Sequence, residues 1–376
     1  MTANTDPLSK KAVPRRNWMF DRWTIIPVVA GIAWLITMLA PASGLALTIG
    51  GVALIGAVLA AVHHAEVVAL RVGEPFGTLV LAVAVTVIEV GLMVSIMQAG
   101  GAGAMALPRD TVMAAIMIIL GAVIGACLLV GGAQHHVQAF KRSGVAAAVP
   151  TLTVLAVSTL ILPNYLISAS GPRLSAVQLG FAGAVSLVLY VTFVFVQTVR
   201  HREYFLDDPD KAEGVDPADG HFLVSRRKAL NSLGLLFLCL VAVVLLAKAL
   251  SPVIEGAVAA AGLPRAVVGV VIAGLVLLPE GIAAVRNARR NRLQTSLNLA
   301  LGSALATIGL TIPTVAVLAI VMGWQLELGV DAKSIVLLVL TLLVTTQTLS
   351  RGQTTIMQGA VHLALFATFI LTLLVP

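Results

Sequence analysis

Long apolar stretches separated by short polar breaks run along nearly the whole chain. Within each stretch the apolar residues are continuous rather than alternating. That pattern fits helices buried on every side and does not fit the in–out alternation of a membrane barrel. Most stretches reach about 18 residues or more, the length that carries a helix across about 30 Å of hydrocarbon. In hydrocarbon the backbone must satisfy its own hydrogen bonds, which a helix does within one segment. The pattern predicts eleven membrane helices, numbered α1 to α11 in order, over 23–41, 44–63, 75–98, 111–132, 145–162, 176–198, 230–250, 265–285, 295–321, 334–349 and 357–375.

Composition agrees: of 376 residues, 59% are hydrophobic and 11% charged, against roughly 25% charged in soluble domains. There is too little polar side chain to coat a water-soluble globule. The net charge of +7 would suit nucleic acid, but its placement excludes that. With a cytoplasmic N-terminus, nineteen of the 24 Lys and Arg residues fall on the inner side of the predicted spans. The outer side keeps Arg109, Arg173, Lys248, Arg265 and Lys333. This is the positive-inside pattern of a multi-pass protein of a bacterial inner membrane. No cleavable signal peptide is expected, because the first 22 residues are polar and basic. Cys127 and Cys239 lie inside apolar runs, so no disulfide framework is expected.

One long hydrophilic loop breaks the series. It carries Glu203, Asp207, Asp208, Asp210, Glu213, Asp216 and Asp219. It divides the chain into an N-terminal segment with α1 (1–43), five helices (44–198), the acidic loop (199–229) and five more helices (230–376). A five-helix unit followed by its homologue enters the membrane from the opposite side, which is the arithmetic of inverted-repeat transporters. The predicted fold is therefore an all-α integral membrane protein: one helix plus two inverted five-helix repeats.

Acidic residues inside the spans are the most informative feature. A charge near the bilayer centre costs at least roughly 2.5–3.5 kcal/mol on insertion scales, so it is kept for a purpose. Two qualify. Glu89 lies in VTVIEVGLM of α3, and Glu280 in VLLPEGIAAV of α8. These helices are the second members of their repeats, so the carboxylates should meet at mid-depth, where such transporters bind ions. Pro279, Gly91 and Gly281 suggest a helix unwound at each acid, with carbonyls as further oxygen ligands. The competing reading of Glu280 is a helix-end acid neutralised by Arg286.

The segment RRNRLQTSLNLALGSALATIGLTIP opens α9. Asn298 and Ser303 offer oxygen to a hard cation, while Gly302, Ala306 and Gly309 suit close packing. The corresponding α4 segment, GAVIGACLLVGG, is small-residued but poor in oxygen. Before α3 lies HHAEVVALRVGEPFGT, with His63, His64 and Glu74. These could admit protons or ions, or form an ordinary interfacial loop; zinc spacing is not met. Gln134, His135, His136 and His362 read more simply as structural, and the arginines of RNARRNR as a topology anchor touching lipid headgroups.

The segments GEPFGTLVLAVAVTVIEV, FVQTVRHREYF, LPEGIAAVRNARRNRLQTSLNLALGSALATIGLTIP and QGAVHLALFATF resemble the ChaA-type sodium-calcium/proton antiporters of the cation/calcium exchanger superfamily. The resemblance runs from about residue 60 to the end. It implies a cation-binding glutamate in each repeat, Glu89 and Glu280, and a glycine–serine pair at Gly302 and Ser303. The asparagine that usually shortly precedes each glutamate is missing, since Val87, Ile88, Leu278 and Pro279 stand there. Fewer oxygens put high calcium selectivity in doubt and leave room for sodium or potassium.

The expected function is exchange of cytoplasmic cations for protons by alternating access, with no cofactor and no partner beyond cations, protons and lipid. A monovalent cation/proton antiporter and a passive channel are the alternatives. An enzyme is disfavoured: no HExxH helix, no GxSxG elbow and no nucleotide loop is present.

Overall fold

A computed structural model describes residues 22–40, 43–73, 76–100, 103–205 and 224–375. The helices are α1 (Arg22–Leu39), α2 (Gly44–Val72), α3 (Phe76–Ala99), α4 (Ala104–His135), α5 (Arg142–Tyr165), α6 (Ala176–Arg200), α7 (Arg226–Ala260), α8 (Ala266–Arg289), α9 (Leu293–Met322), α10 (Ala332–Leu349) and α11 (Ile356–Leu374). Ten are long and apolar enough to cross a membrane, and α1 is the shorter apolar one. The protein is a multi-pass membrane protein. The predicted spans correspond one to one.

Helix ends follow local chemistry. Ser43 and Asp331 cap α2 and α10, accepting from the backbone N–H of Ala46 and Ser334. Ser175 with Gln178, and Thr355 with Gln358, form capping boxes at α6 and α11. Gly323 stops α9 at φ +68°, a left-handed turn that favours glycine. Two helices outrun their apolar runs. α2 continues past its predicted end at His63 through HAEVVALRV to Val72, so His64 too sits on the helix. α7 has 35 residues, about 52 Å, more than a bilayer needs.

The expected breaks at the glutamates are absent. α3 and α8 run unbroken through Glu89 and Glu280, with Pro279 inside α8. Proline removes one N–H, but packing on neighbouring helices holds the rest of the ladder together. The two glycines serve contact instead. A Cβ on Gly91 would meet Val244 of α7 at 2.9 Å, and one on Gly281 would meet Val123 of α4 at 3.2 Å. Irregularity lies elsewhere, as wide π turns at Ile118–Val123, Val157–Ile161 and Val196–Arg200.

The packing exchanges the two halves. α4 packs on α8, α10 and α11; α9 packs on α3, α5 and α6. α2 packs along α7, and α1 lies against both. The loops repeat the exchange. Gln138–Ala139, after α4, pairs antiparallel with Gln353–Thr354, after α10. Arg173, after α5, bridges to Glu327, after α9. One helix separates the members of each set, so the two pairings lie at opposite ends of α5 and α10. Glycines allow the tight crossings: Gly121, Gly125 and Gly359 between α4 and α11, Gly183 and Gly309 between α6 and α9.

Candidate cation and proton site

Glu89 is 2% exposed, in the middle of α3. Its Oε2 accepts a 2.8 Å hydrogen bond from the hydroxyl of Thr311 on α9, itself fully buried. Glu280, on α8, lines a cavity of about 360 Å³ between α3, α6, α8 and α9. Its Oε2 is buried with no hydrogen-bond partner among the described residues. Arg286 does not neutralise it.

Asn298, Gly302 and Ser303 line the same cavity, so three of the expected site residues, Glu280, Asn298 and Ser303, come together there. Gly302 was expected to pack against a helix. Instead, a Cβ there would meet nothing within 4 Å, because the residue borders the cavity. Gly309 does pack, against Tyr190 of α6. Glu89 does not line this cavity; it joins the site through α9, which bonds Glu89 through Thr311 and lines the cavity with Glu280.

A short strap, Arg202–Tyr204 with Phe205, follows α6 and contributes Arg202 and Phe205 to the cavity wall. Phe205 is 7% exposed and meets Phe193 edge-on, with ring centroids 6.0 Å apart. Its carbonyl accepts from the Asn298 side-chain amide. The Asn298 oxygen accepts from Gln294 at 2.9 Å, and Gln294 accepts from the backbone of Lys141 at 2.7 Å. The Lys141 ammonium donates to the carbonyl of Glu203 at 3.0 Å. Asn298 thus ties the strap to α9 as well as lining the cavity.

The residues expected at an entry divide. His63 stacks on Trp23 with ring centroids 4.7 Å apart, and His64 bonds the Trp23 carbonyl at 3.0 Å. Both dock the start of α1 on α2. Glu74 lies outside the described residues, as does most of the acidic loop, from 206 to 223. His135 bonds the carbonyl of Arg289. His362 is fully buried and bonds the Leu120 carbonyl in the π turn of α4 and the Thr348 hydroxyl, so it is a bundle histidine. Thr311 and the strap escaped the sequence reading. A threonine deep in an apolar run was the one available signal for the first.

Comparison with known proteins gives one answer. The profile of the sodium/calcium exchanger protein family matches residues 42–199 and 231–375. The provisionally named ionic transporter y4hA of Sinorhizobium fredii is 51% identical over 86% of this chain and 87% of its own. The sodium-potassium/proton antiporter ChaA of Escherichia coli is 33% identical over 93% of this chain and 95% of its own. Among solved structures, native YfkE superposes with TM-score 0.71 at 15% identity, covering 94% of this chain and all of that one. The H+/Ca2+ exchanger CAX gives 0.67 at 15% identity, over 93% and 87%. At that identity these two speak for the fold alone. The match across both helical halves decides the assignment: the chain belongs to the sodium/calcium exchanger protein family.

Proposed function

We propose that this chain is a secondary active antiporter of a bacterial inner membrane, with its N-terminus in the cytoplasm, which expels cations in exchange for protons. The observation that carries the reading is a pair of acids inside the apolar helices α3 and α8, one bonded to α9 and the other sharing a cavity with α9 and keeping a buried oxygen without a hydrogen-bond partner among the described residues. The cargo includes calcium and the monovalent ions sodium and potassium. The family's description supports calcium, and the name of the E. coli relative supports the monovalent pair. The missing asparagines beside the glutamates favour weak discrimination among them.

Two inverted repeats, 44–198 and 230–376, provide alternating access. The exchanged packing of α4 and α9, the mirrored loop pairings and the two matched segments all support that division. In a poorly hydrated site two carboxylates cannot both stay ionised cheaply, so each needs a cation or a proton. Glu89 and Glu280 bind one or the other, and Asn298 and Ser303 add oxygens from α9. If only the loaded site reorients, binding of one excludes the other and flux is coupled. The cavity with Glu280 at its wall, bounded by the ends of α6 and α9 nearest the acidic loop, is the cytoplasmic access route. Proton flux in everted vesicles, with calcium, sodium or potassium added in turn, tests the reading. Cation-dependent proton release supports it; cation current without proton movement favours a channel.

A further inference from the structure

Threonine hydroxyls in membrane helices usually bond the carbonyl one turn back on their own helix. Thr86, Thr111, Thr159, Thr198, Thr314 and Thr346 all do so, at 2.7–2.9 Å. Thr311 does not. Its hydroxyl leaves α9, crosses to α3 and donates to Glu89 Oε2. This is the one side-chain hydrogen bond of Glu89 among the described residues, and both groups are shut off from solvent.

We infer that Thr311 is the positioning residue of Glu89, serving it in both loaded states: donating to the carboxylate when a cation is bound and accepting from the carboxylic acid when a proton replaces it. The inference rests on the reading of Glu89 as a carrier. A hydroxyl suits this because it has one proton to give and two lone pairs, and rotates to use either. An ionised carboxylate only accepts, while a protonated one must also place its own proton. With both groups buried, no water can take over that change of role. The contact also fixes one oxygen of Glu89 and leaves the other, Oε1, for the cation. Hydrogen bonds to charged groups are about twice as strong as neutral ones, so losing the hydroxyl weakens the cation-loaded form most.

The test uses Thr311→Val, which keeps the shape and removes the hydroxyl. In everted vesicles given calcium, sodium or potassium chloride, apparent KM should rise about tenfold or more, the worth of one hydrogen bond to a charged group. Maximal rate should hold to within about threefold, since the lost contact acts on loading. Thr311→Ser should restore KM, and Thr314→Val, whose hydroxyl serves its own helix, should leave it unchanged. A merely structural role would lower yield and maximal rate at unchanged KM, and that result overturns the inference. If the valine variant does not accumulate, Thr311→Cys, with its weak S–H donor, takes its place: an intermediate KM supports the role, a wild-type KM overturns it. Glu89→Gln runs alongside. Transport by that variant sinks the carrier reading itself; an inactive Glu89→Gln beside a wild-type KM in Thr311→Val sinks the role of Thr311 alone.

Discussion

Truncating Phe205 should open the cavity that leads to Glu280. The ring is 7% exposed, set against Phe193, and the strap is held besides by Asn298 and Lys141. α5 backs it closely: a Cβ on Gly144 would stand 2.9 Å from the Tyr204 carbonyl. Burying a phenylalanine is worth about 1.5–3 kcal/mol, so Phe205→Ala should shift the strap toward its released form roughly ten- to hundredfold. The backbone bonds to Asn298 and Lys141 survive the substitution, which keeps the effect within that range. The assay is the labelling rate of Ser303→Cys by a membrane-impermeant maleimide in everted vesicles. Ser303 lines the cavity, while native Cys127 and Cys239 are 1% and 0% exposed and contribute no background. Labelling should accelerate in Phe205→Ala by that factor. An unchanged or slower rate would refute the strap as a barrier.

Two other predictions concern the frame. A Cβ on Gly359 would stand 2.7 Å from the Leu129 Cα, so Gly359→Ala must push α11 from α4 and should cost about 1–3 kcal/mol, read as a lower melting temperature in detergent. Gly234→Ala, with nothing within 4 Å of the new carbon, should melt no lower than wild type, and equal melting of the two variants would refute the packing argument. Cysteines placed at Ser170 and Arg351 should label from opposite faces, Arg351→Cys from the cytoplasm; labelling of both from one face would break the inverted topology.

Much of the architecture was legible from hydrophobicity alone. Crossing a bilayer demands a long apolar run, and every such run became a helix. The errors arose where that rule is silent. The predicted α2 stops at His63 because polarity ends an apolar run, yet the helix continues through His64 to Val72, its backbone still coiled. Pro279 and the glycines beside the acids suggested unwinding. In the folded bundle Gly91 and Gly281 are contact points with Val244 and Val123, which no single-helix pattern reveals. Buried charge picked out Glu89 and Glu280 because insertion makes such residues costly. The partner Thr311 stayed hidden, because its hydroxyl could equally have bonded its own helix. Phe205 was hidden for a different reason: its role depends on α5 and α9 arriving from distant parts of the chain.

The central claim is that Glu89 and Glu280 each hold a cation or a proton in turn. The direct measurement is cation-dependent proton release from everted vesicles of wild type, Glu89→Gln and Glu280→Gln, with each variant confirmed in the membrane at wild-type yield. Release is predicted for wild type and its loss for both variants, since a neutral amide can neither ionise for the cation nor accept the proton. Undiminished release from either variant would contradict the account.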